Sequence, residues 1–300
     1  MFSGSLVAIV TPMHGDGSLD FAAWERLLDL HAAAGTAGVV VGGTTGESPT
    51  LSEAELRELL ERARARIEGR MQLLAGVGGS HTAAVVERVQ RLAGTGLDGL
   101  LVVTPAYNKP TQEGLFRHFE AVAGASELPV MLYNVPSRTA VDLLPGTIER
   151  LAKLRTVRAV KEATGQVSRV REVVSRVGAQ LDVLSGDDAT ARESVLAGAR
   201  GVVSVTANVA PDLMARMIAA ALAGEQARAA ELDAALLPLH QSLFVEANPI
   251  PVKWALAQLG LIGRGIRLPL TELSANHHSA VRAAMEAAGL HGHAGRARTA

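Results

Sequence analysis

Short apolar runs, many of them rich in β-branched residues, alternate along this chain with longer stretches rich in Ala, Leu, Arg and Glu. Runs of the first kind are typical of buried strands, and stretches of the second kind are typical of helices. We predict eight strands, near residues 5–11, 38–43, 72–77, 99–104, 129–135, 157–163, 181–186 and 201–206. The regular alternation indicates successive βα units and therefore a parallel sheet.

Eight such units over about 220 residues fit a closed (β/α)8 barrel of the α/β class, for which about 250 residues is typical. A doubly wound open sheet is the alternative, but the Gly-x-Gly-x-x-Gly turn expected after its first strand is missing. Two helix starts agree with the barrel. Ser52 and Glu55 form a capping box ahead of an apolar stretch, and Thr111 is placed to open the helix after the fourth strand.

The pattern changes near residue 224, where an Ala-rich helical stretch without strands begins. Prolines interrupt it at 248–251 and at 268–269. We therefore predict a (β/α)8 barrel catalytic domain over residues 1–224, a C-terminal helical region over 225–290, and a disordered tail over 291–300.

Composition narrows the classes of function. The chain has 300 residues, 48% hydrophobic and 20% charged, with a formal net charge of -1 and no cysteine. A net charge so close to zero gives no long-range field to attract nucleic acid or an anionic membrane. The absence of cysteine excludes disulfides, thiolate catalysis and Cys-ligated metals. No apolar run approaches the roughly 18 residues needed to span a bilayer, and no leader pattern opens the chain. We expect a cytoplasmic protein without nucleic-acid or membrane partners.

Lysine is rare in this chain, since only positions 109, 153, 161 and 253 carry it. Lys161 closes the sixth predicted strand, and barrel enzymes build their sites at the carboxyl ends of the strands. Apolar neighbours would desolvate its amine, lower its pKa and make it a nucleophile for a Schiff base. The alternative is a strand-end ammonium paired with Glu162 or Asp187. The other three lysines look ordinary, with Lys253 on a helix.

Tyr133 ends the fifth predicted strand, one strand before Lys161. It is either a half-buried aromatic or an acid and base that moves protons to and from a carbinolamine. A phenol with a pKa near 10 needs a relay for that role, and Thr44 and Tyr107 could form one.

The Gly-rich stretch at 42–46 follows the second strand and carries the hydroxyls of Thr44 and Thr45. Its backbone N–H groups suit a small carboxylate, although a flexible turn is as good an interpretation, and the Walker signature is missing. Arg138 could bind a second carboxylate through two parallel hydrogen bonds, although a surface ion pair is the default interpretation of an arginine in a loop. We expect solvated histidines and no metal site at positions 277, 278, 291 and 293, because they lack carboxylates at helical spacing.

Six motifs in order resemble the dihydrodipicolinate synthase and N-acetylneuraminate lyase family, and within it the dihydrodipicolinate synthase branch. They run from Phe2 to about Leu290 nearly without gaps. The motifs are VAIVTP at 7–12, GTTGES at 43–48, YNVPSRT at 133–139, VKEAT at 160–164, LSGDD at 184–188 and NPIPVK at 248–253.

The resemblance implies a (β/α)8 barrel with C-terminal helices, usually a homotetramer of tight dimers, and no cofactor. Pyruvate would form a covalent Schiff base with Lys161, and its enamine would attack L-aspartate-4-semialdehyde before ring closure, in lysine and diaminopimelate synthesis. The implied roles are then as follows: Lys161 as nucleophile; Tyr133 as proton shuttle in a relay with Thr44 and with Tyr107 from the neighbouring subunit; Thr45 for the pyruvate carboxylate; Arg138 for the semialdehyde carboxylate; Gly186 and Val203 through their backbone carbonyls.

Two alternatives differ in class. A sibling Schiff-base aldolase, such as an N-acetylneuraminate lyase or a keto-deoxy-sugar-acid aldolase, typically has Ser-Thr in place of Thr44 and Thr45 and lacks the arginine matched by Arg138. A non-catalytic barrel would be expected to lose Lys161 or a relay hydroxyl, and this chain keeps them.

Regulation is where the chain departs from the feedback-inhibited members of the branch. The positions matched to their L-lysine site are Leu56, Ser80, Ala84 and Ala106. An ammonium buried there would lack an acid partner, although Ser48 remains and Glu53 is a possible substitute. We expect weak or no inhibition by L-lysine.

Overall fold

The computed structural model describes residues 1–67 and 69–291. Within them, eight strands pair in parallel in the order of the sequence, and the eighth returns to the first to close a barrel. The strands are β1 (Gly4–Ala8), β2 (Gly38–Val41), β3 (Gln72–Val77), β4 (Gly99–Val103), β5 (Val130–Asn134), β6 (Val157–Glu162), β7 (Asp182–Ser185) and β8 (Gly201–Ser204). All eight predicted strands and the predicted (β/α)8 architecture are confirmed, with most strand ends shorter by a few residues.

Helices follow every strand and surround the barrel. They are α1 (Phe21–Ala33), α2 (Glu53–Ile67), α3 (Thr82–Arg91), α4 (Gln112–Ala125), α5 (Pro136–Thr139), α6 (Pro145–Leu151), α7 (Val167–Val177), α8 (Ala191–Leu196) and α9 (Pro211–Leu222). Three further α-helices follow: α10 (Gln226–Ser242), α11 (Ile250–Gln258) and α12 (His278–Ala287). Short 3-10 helices occur at Ser48–Thr50, Thr206–Asn208 and Ala275–His277.

Both predicted helix starts are present. The backbone N–H of Ser52 donates to Oε2 of Glu55 at 2.8 Å, and the N–H of Glu55 donates to Oγ of Ser52 at 3.2 Å. This reciprocal pair is a capping box. Thr111 caps α4 by accepting from the N–H of Gly114 at 3.2 Å. These caps fix where α2 and α4 begin, and so how the loops before them reach the strand ends.

Two apolar layers result from the alternation of side chains along each strand. The inner layer fills the barrel and includes Leu6, Met131, Ala159 and Leu184. The outer layer lies between strands and helices and includes their sequence neighbours, such as Val7 and Leu132. Consecutive residues of one strand therefore point to different sides of the barrel wall.

The outer apolar layer continues into α10, α11 and α12 without a break at residue 224, since Leu232, Leu256 and Met285 belong to it. The division into a barrel domain and a helical region stays a prediction. Residues 292–300, most of the predicted tail, lie outside the described part of the chain. No helix within residues 1–67 and 69–291 is long and apolar enough to cross a bilayer. The predicted cytoplasmic location is not tested by this finding.

Candidate active site

Lys161 lies on β6 and points into the barrel with the inner layer. In the pairing of β5 with β6 it stands beside Tyr133, so both side chains leave the sheet on the same side. Nζ of Lys161 lies 4.3 Å from the centre of the Tyr133 ring, and only 4% of Lys161 is exposed. The structure therefore brings together the two residues that the ends of β5 and β6 predicted.

Burial lowers the pKa of the Lys161 amine to about 8, with the charge of Arg138 adding to the shift and that of Asp188 opposing it. Among the residues that the structure describes, no carboxylate oxygen lies within 4.0 Å of its Nζ. The main cause of the lowered pKa is desolvation of the buried amine, which penalises its charged form.

Neither carboxylate considered as a partner for Lys161 takes that role. Glu162 points to the outer side of the barrel wall, where Asn134 Nδ2 and the N–H of Thr164 donate to it at 3.1 and 2.8 Å. Asp187 instead accepts from the N–H and hydroxyl of Thr190 at 3.0 and 2.8 Å. The ion-pair alternative for Lys161 was therefore wrong.

Gly186 gives Lys161 its space. A Cβ built at position 186 would lie 2.8 Å from Cε of Lys161 and 2.6 Å from Cβ of Ala163. Real Cβ atoms do not approach so closely, so any side chain here would push the amine aside. The glycine at the end of β7 thus allows Lys161 to extend along the cavity wall.

Burial also acts on Tyr133, raising the pKa of its phenol to about 12, while the charge of Arg138 and the nearby Thr44 hydroxyl oppose the rise. The phenol therefore keeps its proton at neutral pH. It can donate that proton to a developing oxyanion and take it back, provided that a neighbour such as Thr44 passes protons on.

A cavity of about 520 Å³ opens above Lys161 at the carboxyl ends of the strands. It brings together six of the eight candidate residues, namely Thr44, Thr45, Tyr133, Arg138, Lys161 and Gly186. The segment 244–248, between α10 and α11, covers one side of it. The C-terminal region therefore forms part of the wall of this cavity.

Arg138 sits on the short helix α5 at the rim. Its Nη2 donates to the backbone carbonyl of Asn248 at 3.4 Å. No carboxylate lies within 4.0 Å of Arg138 among the described residues, so the surface ion pair considered for it is not formed. Arg138 lines the cavity, and the guanidinium donors not used in this contact suit a carboxylate ligand.

Two candidates lie outside the cavity. Tyr107 is 93% exposed, on a turn where its φ is +72°. The turn itself is held, because Oγ of Ser80 donates to the carbonyl of Ala106 at 2.6 Å and Nδ2 of Asn108 donates to that of Ser80 at 3.2 Å. Val203 is buried in the inner layer on β8, and the cavity wall contains Val205 instead.

Asn248 is a cavity residue that sequence reasoning quoted only as part of a motif. Its Nδ2 donates to Oγ1 of Thr45 at 2.9 Å, and its Oδ1 is buried without a partner among the described residues. The two residues are 203 positions apart. No local pattern in the sequence could have joined them.

Lys253 was expected to be an ordinary lysine on a helix, and that expectation was wrong. It is on α11, but only 4% of it is exposed, and its Nζ forms an ion pair with Oε1 of Glu47. Glu47 is itself 2% exposed and directly follows the Gly-rich loop. The completely apolar surroundings of Lys253 in the sequence IPVKWALA were a signal that this lysine is buried.

Of the histidines considered for metals, His277 and His278 are partly buried rather than solvated, whereas His291 is exposed as expected. His278 stacks on Trp254 with ring centres 4.6 Å apart, and His277 Nε2 lies 3.8 Å from Glu246. Within residues 1–67 and 69–291, no three His, Asp or Glu side chains cluster in a way that could hold a metal ion. His293 lies outside the described residues.

Comparisons with known proteins cover nearly the whole chain. The model of the dihydrodipicolinate synthetase family matches residues 1–288. A 4-hydroxy-tetrahydrodipicolinate synthase of Alkalilimnicola ehrlichii is 51% identical over 293 residues, covering 96% of this chain and 99% of that protein. The corresponding protein of Stutzerimonas stutzeri is 50% identical over 290 residues, covering 97% of this chain and 99% of that protein.

A solved structure is similar over the same range. The chloride-inhibited dihydrodipicolinate synthase of Acinetobacter baumannii, complexed with pyruvate, has a TM-score of 0.95 and 44% identity. The match covers 97% of this chain and 100% of that one. The likeness therefore includes the barrel and the C-terminal helices.

Proposed function

Because this chain belongs to the dihydrodipicolinate synthetase family, we propose that it condenses pyruvate with L-aspartate-4-semialdehyde through a Schiff base on Lys161. The product is 4-hydroxy-tetrahydrodipicolinate, in lysine and diaminopimelate synthesis. The observation that carries the proposal is a buried amine, 4.3 Å from a tyrosine ring, at the floor of a cavity of about 520 Å³.

The lowered pKa of Lys161 supplies the nucleophile. With a pKa of about 8, roughly a tenth of the amine is neutral at pH 7, against well under a thousandth for an ordinary lysine. The neutral amine adds to C2 of pyruvate, and loss of water from the carbinolamine gives the iminium. Loss of a proton from C3 then gives the enamine.

The enamine carbon attacks the aldehyde carbon of the semialdehyde, whose oxygen takes a proton and becomes the 4-hydroxyl group. The amino group of the semialdehyde then adds to the imine carbon and displaces the amine of Lys161, which closes the ring. Tyr133, protonated at neutral pH, is the group placed to give and take protons at the carbinolamine oxygen, with Thr44 as the next member of the relay.

The two carboxylates would bind on different walls of the cavity. Thr45, with the backbone of the Gly-rich loop, suits the pyruvate carboxylate beside Lys161. Arg138, which lines the cavity from α5, suits the carboxylate of the semialdehyde. Gly186 lines the cavity next to the amine, and a role for the carbonyl of Val203 stays a prediction.

Tyr107 would complete the relay of a second copy of the chain in a tight dimer. The support is its exposure of 93% on a turn held by hydrogen bonds. An aromatic side chain so exposed on an ordered turn is available to enter a neighbouring subunit. A tetramer made of two such dimers is the oligomer we propose.

A trapping experiment tests the proposal. Pyruvate plus borohydride should add one reduced adduct per chain, and peptide mapping should place it on Lys161 and not on Lys109, Lys153 or Lys253. Lys161→Met should abolish it. An adduct on another lysine, or activity in the variant, would overturn the assignment. A coupled assay with pyruvate and aspartate semialdehyde, beside N-acetylneuraminate cleavage, distinguishes the sibling aldolase.

A further inference from the structure

We infer that Glu47 and Lys253 are positioning residues that hold the loop carrying Thr44 and Thr45 in its substrate-binding shape. The inference rests on the proposed function, because those two threonines are the ones assigned to the proton relay and to the pyruvate carboxylate. It adds a part of the molecule that the proposed chemistry does not use, the buried ion pair between the loop and α11.

The loop is a succession of tight turns. The N–H of Gly46 donates to the carbonyl of Gly43 at 3.1 Å, and the N–H of Glu47 donates to that of Thr44 at the same distance. Glu47 has a φ of +58°, in the left-handed region that a residue with a Cβ rarely adopts. Such a conformation persists only where its surroundings enforce it.

The Glu47 side chain provides that enforcement. It runs into the core and is 2% exposed. Its Oε1 pairs with Nζ of Lys253, and its Oε2 accepts from the backbone N–H of Arg267 at 3.0 Å. Both oxygens are thus bound by the C-terminal region, so the carboxylate has one position, and the backbone of residue 47 is fixed with it.

Thr45 has a second attachment to the same region. Its Oγ1 accepts from Nδ2 of Asn248 at 2.9 Å, so its own hydroxyl hydrogen is free to point elsewhere. The cavity is where a substrate carboxylate would receive that hydrogen. The segment that begins at Asn248 and continues into α11 therefore holds the loop at Thr45 and at Glu47.

The ion pair allows stability and loop position to be separated. Removing one partner leaves a buried charge without a counterion and destabilises the fold, whereas replacing both by uncharged side chains of similar size is often neutral for stability. The uncharged pair would still fill the space but would lose the ion pair that ties residue 47 to α11, leaving at most the contact with the N–H of Arg267. If the ion pair is purely structural, the double variant should regain both its stability and its binding of pyruvate. If the pair positions the loop, the double variant should regain stability alone.

The test compares Glu47→Gln, Lys253→Met and the double variant with the wild type. Arg192→Met is the matched control, because Arg192 pairs with Asp233 at 2.9 Å between α8 and α10, away from the loop. Tm is measured together with the KM of each substrate. We expect both single variants to lower Tm and the double variant to regain it. The double variant should keep a pyruvate KM raised about tenfold or more, since a displacement near 1 Å costs roughly 10²-fold in rate.

The KM for aspartate semialdehyde should stay within about twofold in the double variant, because Arg138, which would bind this substrate, lies on another wall of the cavity. A larger rise in this KM would indicate that the whole site has lost its shape. The control should lower Tm with the pyruvate KM unchanged. A double variant with a wild-type pyruvate KM, or pyruvate KM values that follow Tm in every variant, would overturn the inference.

Amide hydrogen exchange of the peptide containing 43–50 decides the matter independently of catalysis. Exchange there should be faster in the double variant than in the wild type, with the peptides of β5 and β6 unchanged. Wild-type protein that forms no pyruvate adduct on Lys161 would refute the proposed function, and the exchange result would still settle whether the ion pair holds the loop.

Discussion

The Tyr133 ring covers the amine of Lys161, with Nζ 4.3 Å from the ring centre. Burial, to which the ring contributes, disfavours the charged form of the amine and lowers the pKa of Lys161 to about 8. The ring and the hydroxyl of Tyr133 therefore have separable effects: the ring helps to exclude water from the amine, and the hydroxyl handles protons.

Adduct formation should depend on pH with a midpoint near 8. The folded-state pKa of Lys161 is below its usual 10.5, so the unreactive ammonium dominates below about pH 8 and the neutral amine above it. The initial rate of pyruvate adduct formation, quenched with borohydride and counted by mass spectrometry, should rise through that midpoint and then level off. A midpoint near 10 would mean that the amine is solvated.

Arg138→Met should move this midpoint upwards, because Arg138 is a nearby positive charge that lowers the pKa of Lys161. Arg117→Met is the control, since Arg117 is an exposed arginine paired with Glu113 at 2.8 Å on α4. An unchanged midpoint in the Arg138 variant would show that its charge is not felt at the amine.

Tyr133→Phe keeps the ring and removes the phenol hydroxyl. We expect turnover to fall by about 10² to 10⁴, the usual contribution of a positioned acid or base. The pH midpoint of the residual adduct formation should remain near 8, since the desolvating ring is retained. Circular dichroism checks the fold, and turnover within about threefold of wild type would contradict the assigned role.

Arg138→Met should also separate the two substrates. A lost charge-assisted contact costs about 1.5–3 kcal/mol, which corresponds to roughly 10- to 150-fold in kcat/KM for aspartate semialdehyde. At a pH above the midpoint, adduct formation with pyruvate should change far less. Equal losses at both steps would indicate that Arg138 is structural, through its contact with the carbonyl of Asn248.

Tyr107→Phe and Lys161→Ala should complement each other. Each variant alone should have low turnover, but a co-expressed mixed dimer contains one site with an intact Lys161 and a Tyr107 supplied by the other chain. We expect turnover of the mixture to exceed the sum of the two separate variants. No gain on mixing, with mixed dimers verified by native mass spectrometry, would contradict a role for Tyr107 across subunits.

L-Lysine should inhibit weakly or not at all. Leu56 lies with its Cδ1 against Gly42, and Oγ of Ser80 donates to the carbonyl of Ala106. Glu53, the possible substitute acid, already pairs with Arg91 at 2.8 Å and lies 3.8 Å from Arg88. An ammonium entering here would meet two guanidinium groups. Initial rates titrated with L-lysine should stay flat at sub-millimolar concentrations, and strong partial inhibition would contradict this expectation.

The strands and the pairing of Tyr133 with Lys161 at the strand ends could be predicted from the sequence, because both depend on local patterns. Alternation along a strand decides which side of the barrel a residue faces, and a barrel gathers the strand ends. The same alternation could have excluded Glu162 as a partner of its neighbour Lys161, an alternative that the sequence analysis left open, since consecutive residues of a strand face opposite ways. That inference needed only the strand's bounds.

The support of the Gly-rich loop could not be read in the same way. Glu47 and Lys253 are 206 residues apart, and the contact between them depends on how α11 returns across the end of the barrel. The apolar neighbours of Lys253 were a signal of burial that the sequence analysis did not use, and even that signal does not show which carboxylate the lysine meets. The contact of Asn248 with Thr45, over 203 residues, is of the same kind.

These long separations have a consequence for protein synthesis. Glu47 leaves the ribosome early, whereas Lys253 and Arg267, which bind its carboxylate, follow 206 and 220 residues later. Every barrel strand has been translated by residue 204, so a prematurely terminated chain of about that length has all eight strands but none of these partners. Only translation past Arg267 supplies the residues that hold the loop, and chains released earlier are therefore expected to lack activity even where the barrel has formed.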